Sequence, residues 1–403
     1  MSKQEQKGLT PALRFPEFKN KETWKIKPFS QMFEIGSGKD YKHLSSGNVP
    51  VYGSGGYMLS VDDYLYDGES VCIGRKGTIN NPMLLNGKFW TVDTLFYTHS
   101  FKNCIPKFVF SLFQNINWLN YNEAGGVPSL SKLIINKIEV AIPPTIDEQQ
   151  KIADCFSSID ELIAAESQKF ESLKAHKTGL MQLLFPAESE TVPKLRFSEF
   201  KDKKKWFSKK FGEICKFVRG PFGGALKKET FVKQGYAIYE QSHAIHQNFD
   251  SFRYYIDKEK FNELKRFEVK PNDIIMSCSG TMGKFAVIPP YAKKGIINQA
   301  LLKLTIKADY ELNFIKFTLE YPPNQEKLLS QAAGGAIKNV ASVGQLKEIE
   351  IFIPCLSEQQ KIANCLSSLD ELIKAQGQKI EALKSHKKGL MQQLFPVMDE
   401  VEG

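Results

Sequence analysis

Two short glycine-bounded turns carry the residue types that could bind a polyanion. Each follows an apolar, strand-like run: Gly74-Arg75-Lys76-Gly77-Thr78 in one place and Ser279-Gly280-Thr281-Met282-Gly283-Lys284 in the other. Glycine lets a backbone approach another surface closely, arginine can bond guanine with two hydrogen bonds, and lysine suits phosphate. Plain hairpin turns have the same composition, so the turns alone leave a recognition surface and an ordinary surface loop both open.

Further polar and aromatic residues fall in predicted loops of the same two segments. Their side chains could donate to or accept from base edges, or bind phosphate. The candidate contact residues are Lys39, Tyr41, Tyr52, Ser54, Tyr57, Arg75, Lys76, Thr78, Arg219, Gln241, Ser242, His243, Thr281, Lys284, Asn298 and Gln299.

No set of residues has the spacing of a catalytic site. The chain has no G-x-x-x-x-G-K-[ST] phosphate loop, no G-x-S-x-G elbow and no H-E-x-x-H pair. His243 and His246 stand three apart with no carboxylate or cysteine nearby to complete a metal site. Asn80-Asn81-Pro82-Met83 superficially matches the Asn-Pro-Pro-aromatic motif of DNA amino-methyltransferases, but it lacks the second proline and the aromatic residue. The sequence therefore predicts no catalytic residue, metal or cofactor in this chain.

Charge and cysteine usage indicate the setting in which the chain works. The net charge is +9. By segment, it is +3 up to Asp147, −2 for 148–186, +9 for 187–357 and −1 for the remainder. A polyanion would thus meet the segments outside 148–186 and 358–396. Seven cysteines without a C-x-x-C pair favour reduced thiols, and no apolar run reaches the length of a membrane span. We expect a cytoplasmic protein with no membrane partner.

One long helix, predicted twice, must position these turns. Residues 148–186 recur without a gap as 358–396, with 28 of 39 positions identical. Apolar residues repeat in steps of mostly three and four, which is typical of a helix that packs against a partner through one apolar stripe. We call this stripe the seam. The seam residues are Ile152, Phe156, Ile159, Ile163, Phe170, Leu173, Leu180 and Leu184 in the first copy, and Ile362, Leu366, Leu369, Ile373, Ile380, Leu383, Leu390 and Leu394 in the second.

The seam has the same polar interruptions in both copies. They are Glu166 and Lys177 in the first copy, and Gln376 and Lys387 in the second. Matched lengths and matched interruptions favour an antiparallel coiled coil of the two helices, because polar seam residues fix register. The alternative is two separate amphipathic helices, each packed on its own domain.

The repeat extends beyond the helices. A nine-residue opener at 11–19 recurs at 193–201, each followed by a tryptophan, and Ala124-Gly125-Gly126 before the first helix recurs as Ala333-Gly334-Gly335. Between these fixed ends the two bodies are largely unlike in sequence, and the second is longer. Both are predicted to be α+β and strand-rich. The predicted division is a first domain 1–147, a helix 148–186, a second domain 187–357, a helix 358–396 and a polar tail 397–403.

These features together resemble the specificity subunit of type I restriction-modification systems. The resemblance rests on tandem units with an LRFPEF-like opener, an AGG turn, a proline-ended strand, E-Q-Q-K-I-A, and a helix that closes with L-M-Q-x-L-F-P. It implies two target recognition domains, each reading one half of a bipartite asymmetric DNA site, separated by the antiparallel helices. It also implies partners: double-stranded DNA, two modification subunits that bring S-adenosylmethionine, and two restriction subunits that bring ATP-driven translocation and use Mg²⁺.

Two other classes of function stay open on the residues alone. One is a scaffold that does not bind DNA, in which a coiled coil presents two ligand- or protein-binding domains. The other is a self-sufficient methyltransferase, which the absence of a glycine-rich S-adenosylmethionine loop disfavours. The residues predict neither the two half-site sequences nor the length of the gap between them.

Overall fold

The computed structural model describes residues 9–188, 190–222, 224–329 and 342–396. They form two compact units, one from Met1–Gln168 with Gly377–Gly403 and the other from Lys169–Gln376. Each unit therefore contains one body and part of both long helices, which differs from the linear division predicted from the sequence. The polar tail and the second AGG sequence, residues 333–335, lie outside the described residues.

The first unit contains a strand-rich body and two short helices before its long helix. Its elements in chain order are β1 (Lys25–Pro28), β2 (Glu34–Ser37), β3 (Ser46–Gly53), β4 (Gly56–Val61), β5 (Tyr66–Asp67), β6 (Ser70–Gly74), β7 (Met83–Leu85), β8 (Lys88–Thr91), β9 (Leu95–His99), α1 (Pro106–Asn115), α2 (Lys132–Lys137), β10 (Glu139–Ile142) and α3 (Ile146–Leu184), with 3-10 helices at Pro16–Phe18, Phe29–Gln31 and Trp118–Tyr121.

The second unit follows the same plan with more elements. They are β11 (Phe207–Lys210), α4 (Phe211–Ile214), β12 (Cys215–Arg219), β13 (Phe231–Val232), β14 (Tyr236–Tyr239), α5 (Gln241–His246), β15 (Tyr255–Ile256), α6 (Lys258–Glu263), β16 (Glu268–Val269), β17 (Asp273–Ser277), β18 (Phe285–Val287), β19 (Gly295–Ile297), β20 (Leu301–Ile306), α7 (Leu312–Glu320), α8 (Pro322–Leu329), α9 (Val343–Glu348), β21 (Glu350–Ile353) and α10 (Leu356–Leu394), with 3-10 helices at Ser198–Phe200, Lys228–Thr230 and Lys265–Phe267.

The two bodies share one topology although their sequences are unlike. The strand order β2-β9-β6-β7 in the first body corresponds to β12-β20-β17-β18 in the second, and β4-β3-β8-β5 corresponds to β15-β14-β19-β16. In both second sheets one pair is parallel: β3 with β8, and β14 with β19. The strands β6 and β17 are buried along their whole length, so they read as continuous apolar runs and not as alternating ones.

Antiparallel helix segments pack together inside each unit. In the first unit Lys387 Nζ lies 2.7 Å from Asp160 Oδ1, and Phe156 stacks on Phe395 with ring centroids 5.9 Å apart. In the second unit Lys177 Nζ lies 2.5 Å from Asp370 Oδ1. None of the sixteen seam residues is exposed. The seam lysines thus join the helix pair through ion pairs, as expected of polar residues that fix register.

The ends of the seam also belong to the body cores. Ile152 and Phe156 with Leu394 join the core that contains Trp24 in the first unit. In the second unit, Ile362, Leu366 and Leu184 belong to the core that contains Trp206. Both helices begin at residues 146 and 356, two residues earlier than the repeated sequence indicated.

A buried clasp fixes each opener to the start of its long helix. Glu148, 1% exposed, accepts from Arg14 Nε and Nη2 at 2.7 Å each and from Trp24 Nε1 at 3.0 Å. In the second unit Glu358 accepts equivalent bonds from Arg196 at 2.8 and 2.6 Å and from Trp206 at 3.3 Å. The hydrogen bond to Glu358 raises the pKa of Arg196. A buried carboxylate needs such partners, so the clasp explains why opener and E-Q-Q-K recur together.

The glutamine that follows each clasp glutamate holds the body. Gln149 Oε1 accepts from the Ile105 amide at 3.2 Å, just before α1. Gln359 Oε1 accepts from the Glu311 amide at 3.0 Å, just before α7. Each long helix thus positions one helix of its own body, α1 in the first and α7 in the second, through one side-chain amide.

Candidate nucleic-acid interface

Three chain segments meet at one end of the first body's sheets, and we call this the first junction (residues 37–39, 74–78 and 91–95). Backbone hydrogen bonds hold it together: Gly38 N to Leu95 O at 3.2 Å, Arg75 N to Thr94 O at 2.8 Å, and Val92 N to Tyr52 O at 3.0 Å. A Cβ on Gly38 would lie 1.9 Å from the Val92 carbonyl oxygen. Only glycine fits there, because the two backbones are already in contact.

Arg75 lies exposed at the edge of an open cleft in the first junction. The cleft has a volume of about 980 Å³, and Ser37, Lys76, Asp93 and Lys132 also line it. Arg75 Nη1 donates to the Asp93 carbonyl at 3.4 Å, and its guanidinium carbon lies 6.0 Å from the centre of the Phe96 ring. The side chain is therefore steered over an aromatic face while it stays accessible to a polar ligand.

The segment after the first AGG turn braces the Arg75 turn. The Gly77 amide donates to Pro128 O at 2.9 Å, and the Leu130 amide donates to Arg75 O at 2.9 Å. Nothing lies within 4 Å of a Cβ placed on Gly125 or Gly126. The bracing is therefore supplied by the residues that follow the AGG glycines, a role the sequence did not indicate.

The β3–β4 hairpin brings further candidates to the first junction. A Cβ on Gly77 would lie 3.2 Å from Ser54 Oγ, so the hairpin tip and the Arg75 turn touch. Tyr57 is 62% exposed, and its hydroxyl lies 3.1 Å from Ser60 Oγ. Tyr41 and Tyr52 are half-buried against the apolar clusters of the body. The accessible candidates in the first body are therefore Lys39, Tyr57, Arg75, Lys76 and Thr78, with Ser54 half-buried.

The second body builds an equivalent junction, the second junction (residues 219–221, 277–281 and 297–301). The same three backbone bonds recur: Gly220 N to Leu301 O at 3.0 Å, Cys278 N to Ala300 O at 2.8 Å, and Asn298 N to Tyr239 O at 3.0 Å. A Cβ on Gly220 would lie 1.8 Å from Asn298 O. Gly38 therefore corresponds to Gly220, and Arg75 corresponds to Cys278.

Each junction has one arginine, but the two arginines lie at the ends of strands that do not correspond in the shared topology. In the first, Arg75 follows β6 while Ser37 ends β2; in the second, Arg219 ends β12 while Cys278 follows β17. Both β2 and β6 pair with β9, and both β12 and β17 pair with β20. Burial raises the pKa of the Cys278 thiol to about 11 despite the nearby Arg219. This thiol is therefore protonated at neutral pH and is not a nucleophile.

Other second-body candidates lie around this junction with different accessibility. Ser242, Thr281, Lys284 and Gln299 are exposed. Asn298 Oδ1 accepts from the Ala300 amide at 3.0 Å, so its side chain already supports the turn. The buried Ser277 hydroxyl donates to Thr281 O at 2.6 Å and accepts from Lys284 N at 3.0 Å. Ser277 is thus a positioning residue that sequence patterns did not single out.

Gln241 places a side-chain amide beside the turn at Gly280. Its Nε2 lies 3.8 Å from a Cβ built on Gly280. Its Oε1 is buried and has no hydrogen-bond partner among the residues that the structure describes. Buried acceptors are rarely left unpaired, so this oxygen marks a position where a donor would be stabilised.

His243 has a structural role, which corrects its inclusion among the candidate contacts. It is 4% exposed. Its Nδ1 lies 2.9 Å from the Glu240 amide, and its Nε2 lies 3.2 Å from Ser251 O. Its ring stacks on Phe252 at 4.7 Å. Both ring nitrogens are occupied by backbone groups of α5 and the loop after it. The segment 241–246 is also helical, where a loop was predicted.

Within the described ranges, no cluster of histidine, cysteine, aspartate and glutamate could hold a metal ion. Over the same ranges, no helix combines the length and apolar content needed to cross a membrane.

Comparisons with known proteins match both halves of the chain. The family model described as type I restriction modification DNA specificity domain matches residues 21–175 and 203–385. The type I restriction enzyme MjaVIII specificity subunit of Methanocaldococcus jannaschii is 24% identical over 82% of this chain and 77% of its own length. A putative type I specificity subunit of Mycoplasma pneumoniae is 26% identical over 86% of this chain and 88% of its own.

Solved structures show the same fold at lower sequence identity. The crystal structure of a type I restriction-modification S subunit from M. genitalium covers 97% of this chain and 100% of its own, with a TM-score of 0.63 and 15% identity. A structure from a study of type I complex assembly and conformational transition covers 92% of this chain and 97% of its own, with a TM-score of 0.56 and 14% identity.

Proposed function

Because the chain belongs to the family of type I restriction-modification DNA specificity domains, we propose that it is the DNA-reading specificity subunit of a type I restriction-modification complex. It supplies sequence recognition and leaves catalysis to other subunits. Each junction reads one half of a bipartite asymmetric site, and the long helices set the gap between the halves.

The repeated junction supports this proposal most directly. The same backbone hydrogen bonds occur in both bodies, while the side chains that they present differ. Direct readout of DNA needs this combination, because fixed backbone geometry positions the protein and variable side chains meet the base edges. Two unlike sets of side chains suit two unlike half-sites.

The basic excess of the bodies supports DNA as the ligand. The segment 187–357 carries +9 and the segment up to Asp147 carries +3, whereas the helix segment 148–186 carries −2 and the helix segment 358–396 carries only +2. Phosphate contacts from the bodies would orient each reader, and the outer faces of the helices would meet protein and not DNA.

The partners follow from the role of a specificity subunit. The other subunits of the complex bind this chain together with DNA, and we propose two modification subunits and two restriction subunits per chain. The modification subunits bring S-adenosylmethionine and methylate adenine, and the restriction subunits bring ATP and Mg²⁺. All would act in the cytoplasm, where chromosomal and incoming DNA meet.

DNA binding by the chain with its modification subunits tests the proposal. Fluorescence anisotropy with mixed-sequence duplex should show affinity that falls steeply between 50 and 200 mM salt, because counterions are released from phosphates. Methylome sequencing of a host with the same subunits should show a two-part motif. Binding that ignores salt, together with no methylated motif, would favour the scaffold that does not bind DNA.

The spacer role has its own test. Residues 165–171 and 375–381 occupy corresponding places in the two helix copies. Removing both sets deletes one heptad, or about 10 Å of helix, from each. We expect the methylated motif to keep both half-sites and to shorten its gap by up to about three base pairs at 3.4 Å each. Removal from one helix alone is the control, and it should abolish modification because it breaks the seam register. An unchanged gap in the double deletion would contradict the proposal.

A further inference from the structure

Phe222 differs in exposure from the other large apolar side chains that the structure describes. It is 92% exposed, the highest exposure among the large hydrophobic residues that the structure describes. Its ring takes part in none of the aromatic contacts found in the described ranges, which include thirty ring pairs. Covering an exposed phenyl group with a ligand is favourable, because it removes apolar surface from water.

The loop that carries Phe222 is anchored at the second junction. Gly220 is fixed against the start of β20 by its amide bond to Leu301 O, and its Cα closely approaches Asn298. Pro221 restricts the backbone between that anchor and the ring. The Ala225 amide also donates to Phe222 O at 2.9 Å. The ring is therefore presented two residues beyond the backbone contact that defines the junction.

The residues that flank Phe222 in the sequence include several cations. Arg219 precedes it by three residues, and Lys227 and Lys228 follow within six; all three are exposed. An apolar protein partner would be a poor match for a single ring among cations. A nucleic acid matches both features, because it offers phosphates to the cations and aromatic base faces to the ring.

We propose that Phe222 is a wedge that stacks between bases at the edge of the half-site read by the second body. This inference rests on the proposed DNA-reading function and adds a contact of a different kind. Aromatic and other apolar side chains that enter a base step unstack it and bend the duplex, and the bend allows more protein surface to contact the DNA. The wedge would therefore contribute affinity and would favour a flexible pyrimidine–purine step.

The first body has no wedge at the corresponding place. The matched glycines Gly38 and Gly220 put Asp40 where the second body has Phe222. The most exposed aromatic residue described in the first body, Tyr57, lies on the β3–β4 hairpin, and its hydroxyl is in hydrogen-bond contact with Ser60 Oγ. The wedge effect should therefore be confined to one half of the bipartite site.

The test uses the full chain in complex with its modification subunits and a duplex that carries the methylated motif. 2-Aminopurine, whose fluorescence rises when it is unstacked, replaces one base at a time through and beside both half-sites. The wild type should show a several-fold rise at one step beside the second body's half-site. Phe222→Ala should lose that rise and bind about tenfold more weakly, whereas Phe222→Trp should keep both. Tyr291→Ala serves as the control, because this ring is 72% exposed but lies outside the second junction, and it should leave the signal at that step unchanged.

Three outcomes separate the wedge from its alternatives. If the complex binds its motif and no position responds, the wedge is wrong while the DNA-reading function stands. If uracil in place of one thymine weakens wild-type binding as much as Phe222→Ala does, with no fluorescence change, the ring contacts a thymine methyl group and the wedge is also wrong. If the wild-type complex binds no sequence preferentially, the proposed function itself fails.

Discussion

The first and second bodies build the same junction from the same backbone hydrogen bonds, yet they supply its arginine from opposite strands. Arg75 follows the inner strand β6, and Arg219 ends the edge strand β12. At the opposite strand, the first junction has Ser37 and the second has the buried Cys278. Backbone geometry and side-chain content therefore vary separately in this fold. A reader of this kind can change the bases it recognises while the junction that positions it stays constant.

The segments that connect the shared strands also differ between the two bodies. The first body joins β3 to β4 by a tight hairpin, while the second places α5 between β14 and β15 and α6 before β16. The added residues of the second body lie mainly in these connections. Loops tolerate insertion where the paired strands keep their register, so the second body gains surface near the junction without a change in its core.

The largest expected effect comes from the clasp, which is the feature most alike in the two units. Glu148→Gln leaves the buried Arg14 guanidinium without its carboxylate, and we expect a loss of about 3–5 kcal/mol in the stability of the first unit. Glu358→Gln should do the same in the second unit. Denaturant unfolding gives the size of the loss, and hydrogen exchange should locate it in the unit that carries the change.

The matched control for the clasp is a surface pair on the same opener. Lys151 Nζ lies 3.3 Å from Glu17 Oε1, and both side chains are about half exposed. Glu17→Gln should cost far less than Glu148→Gln because solvent screens the pair. Equal losses for Glu17→Gln and Glu148→Gln would show that burial of the clasp is not what makes it strong.

A smaller effect is expected at the two arginines, where the units differ most. Arg75→Ala and Arg219→Ala should each relax the preference at one base of one half-site, by about 1–3 kcal/mol for a bidentate contact. Competition binding with single-base variants of the motif measures this preference. Lys76→Ala is the control, because loss of a phosphate contact should weaken all sequences about equally. A loss of preference in both half-sites from one arginine would contradict independent junctions.

The smallest effect is expected at the seam lysines. Lys387 pairs with Asp160 and also donates to Gln114 Oε1 at 2.8 Å. Lys177 pairs with Asp370 and Glu320, but Lys316 also binds both of these carboxylates. Lys387→Met should therefore cost about 0.5–1 kcal/mol, and Lys177→Met should cost less because Lys316 remains.

A double variant sharpens the comparison of the two seam lysines. Lys177→Met with Lys316→Met leaves Asp370 and Glu320 without either cation, so unfolding experiments should give a loss larger than the sum of the single losses. Additive losses would mean that the two lysines do not share their carboxylates in solution.

The sequence predicted the repeated elements well because their residues act locally or through a repeat. The seam follows from apolar spacing, and the strands β6 and β17 follow from uninterrupted apolar runs. The clasp was not predicted: Arg14 and Glu148 are 134 residues apart, and a charged residue gives no sign in the sequence that it will be buried. The shared topology of the bodies was missed for a related reason, since it depends on backbone pairing and not on side-chain identity.

The candidate contact residues also divide into those that local sequence reveals and those that depend on the folded structure. Arg75, Lys76 and Thr281 could be proposed because glycine-flanked turns after strands are recognisable locally. His243 was wrongly included because its burial depends on Phe252 and Ser251, which reach it only in the folded loop. Ser277 and the residues after the first AGG turn were missed because they act by positioning backbone, which leaves no distinctive spacing.

The most direct test of two independent DNA-reading bodies replaces the first body with a second copy of the other. A chain in which residues 34–99 give way to residues 216–305 keeps both clasps and both long helices. The helix copies run antiparallel in each unit, so methylome sequencing should show a symmetric motif, with the second body's half-site on both strands and the gap unchanged. A motif that retains the first half-site, or changes in both halves to unrelated sequences, would contradict two independent readers on a common framework.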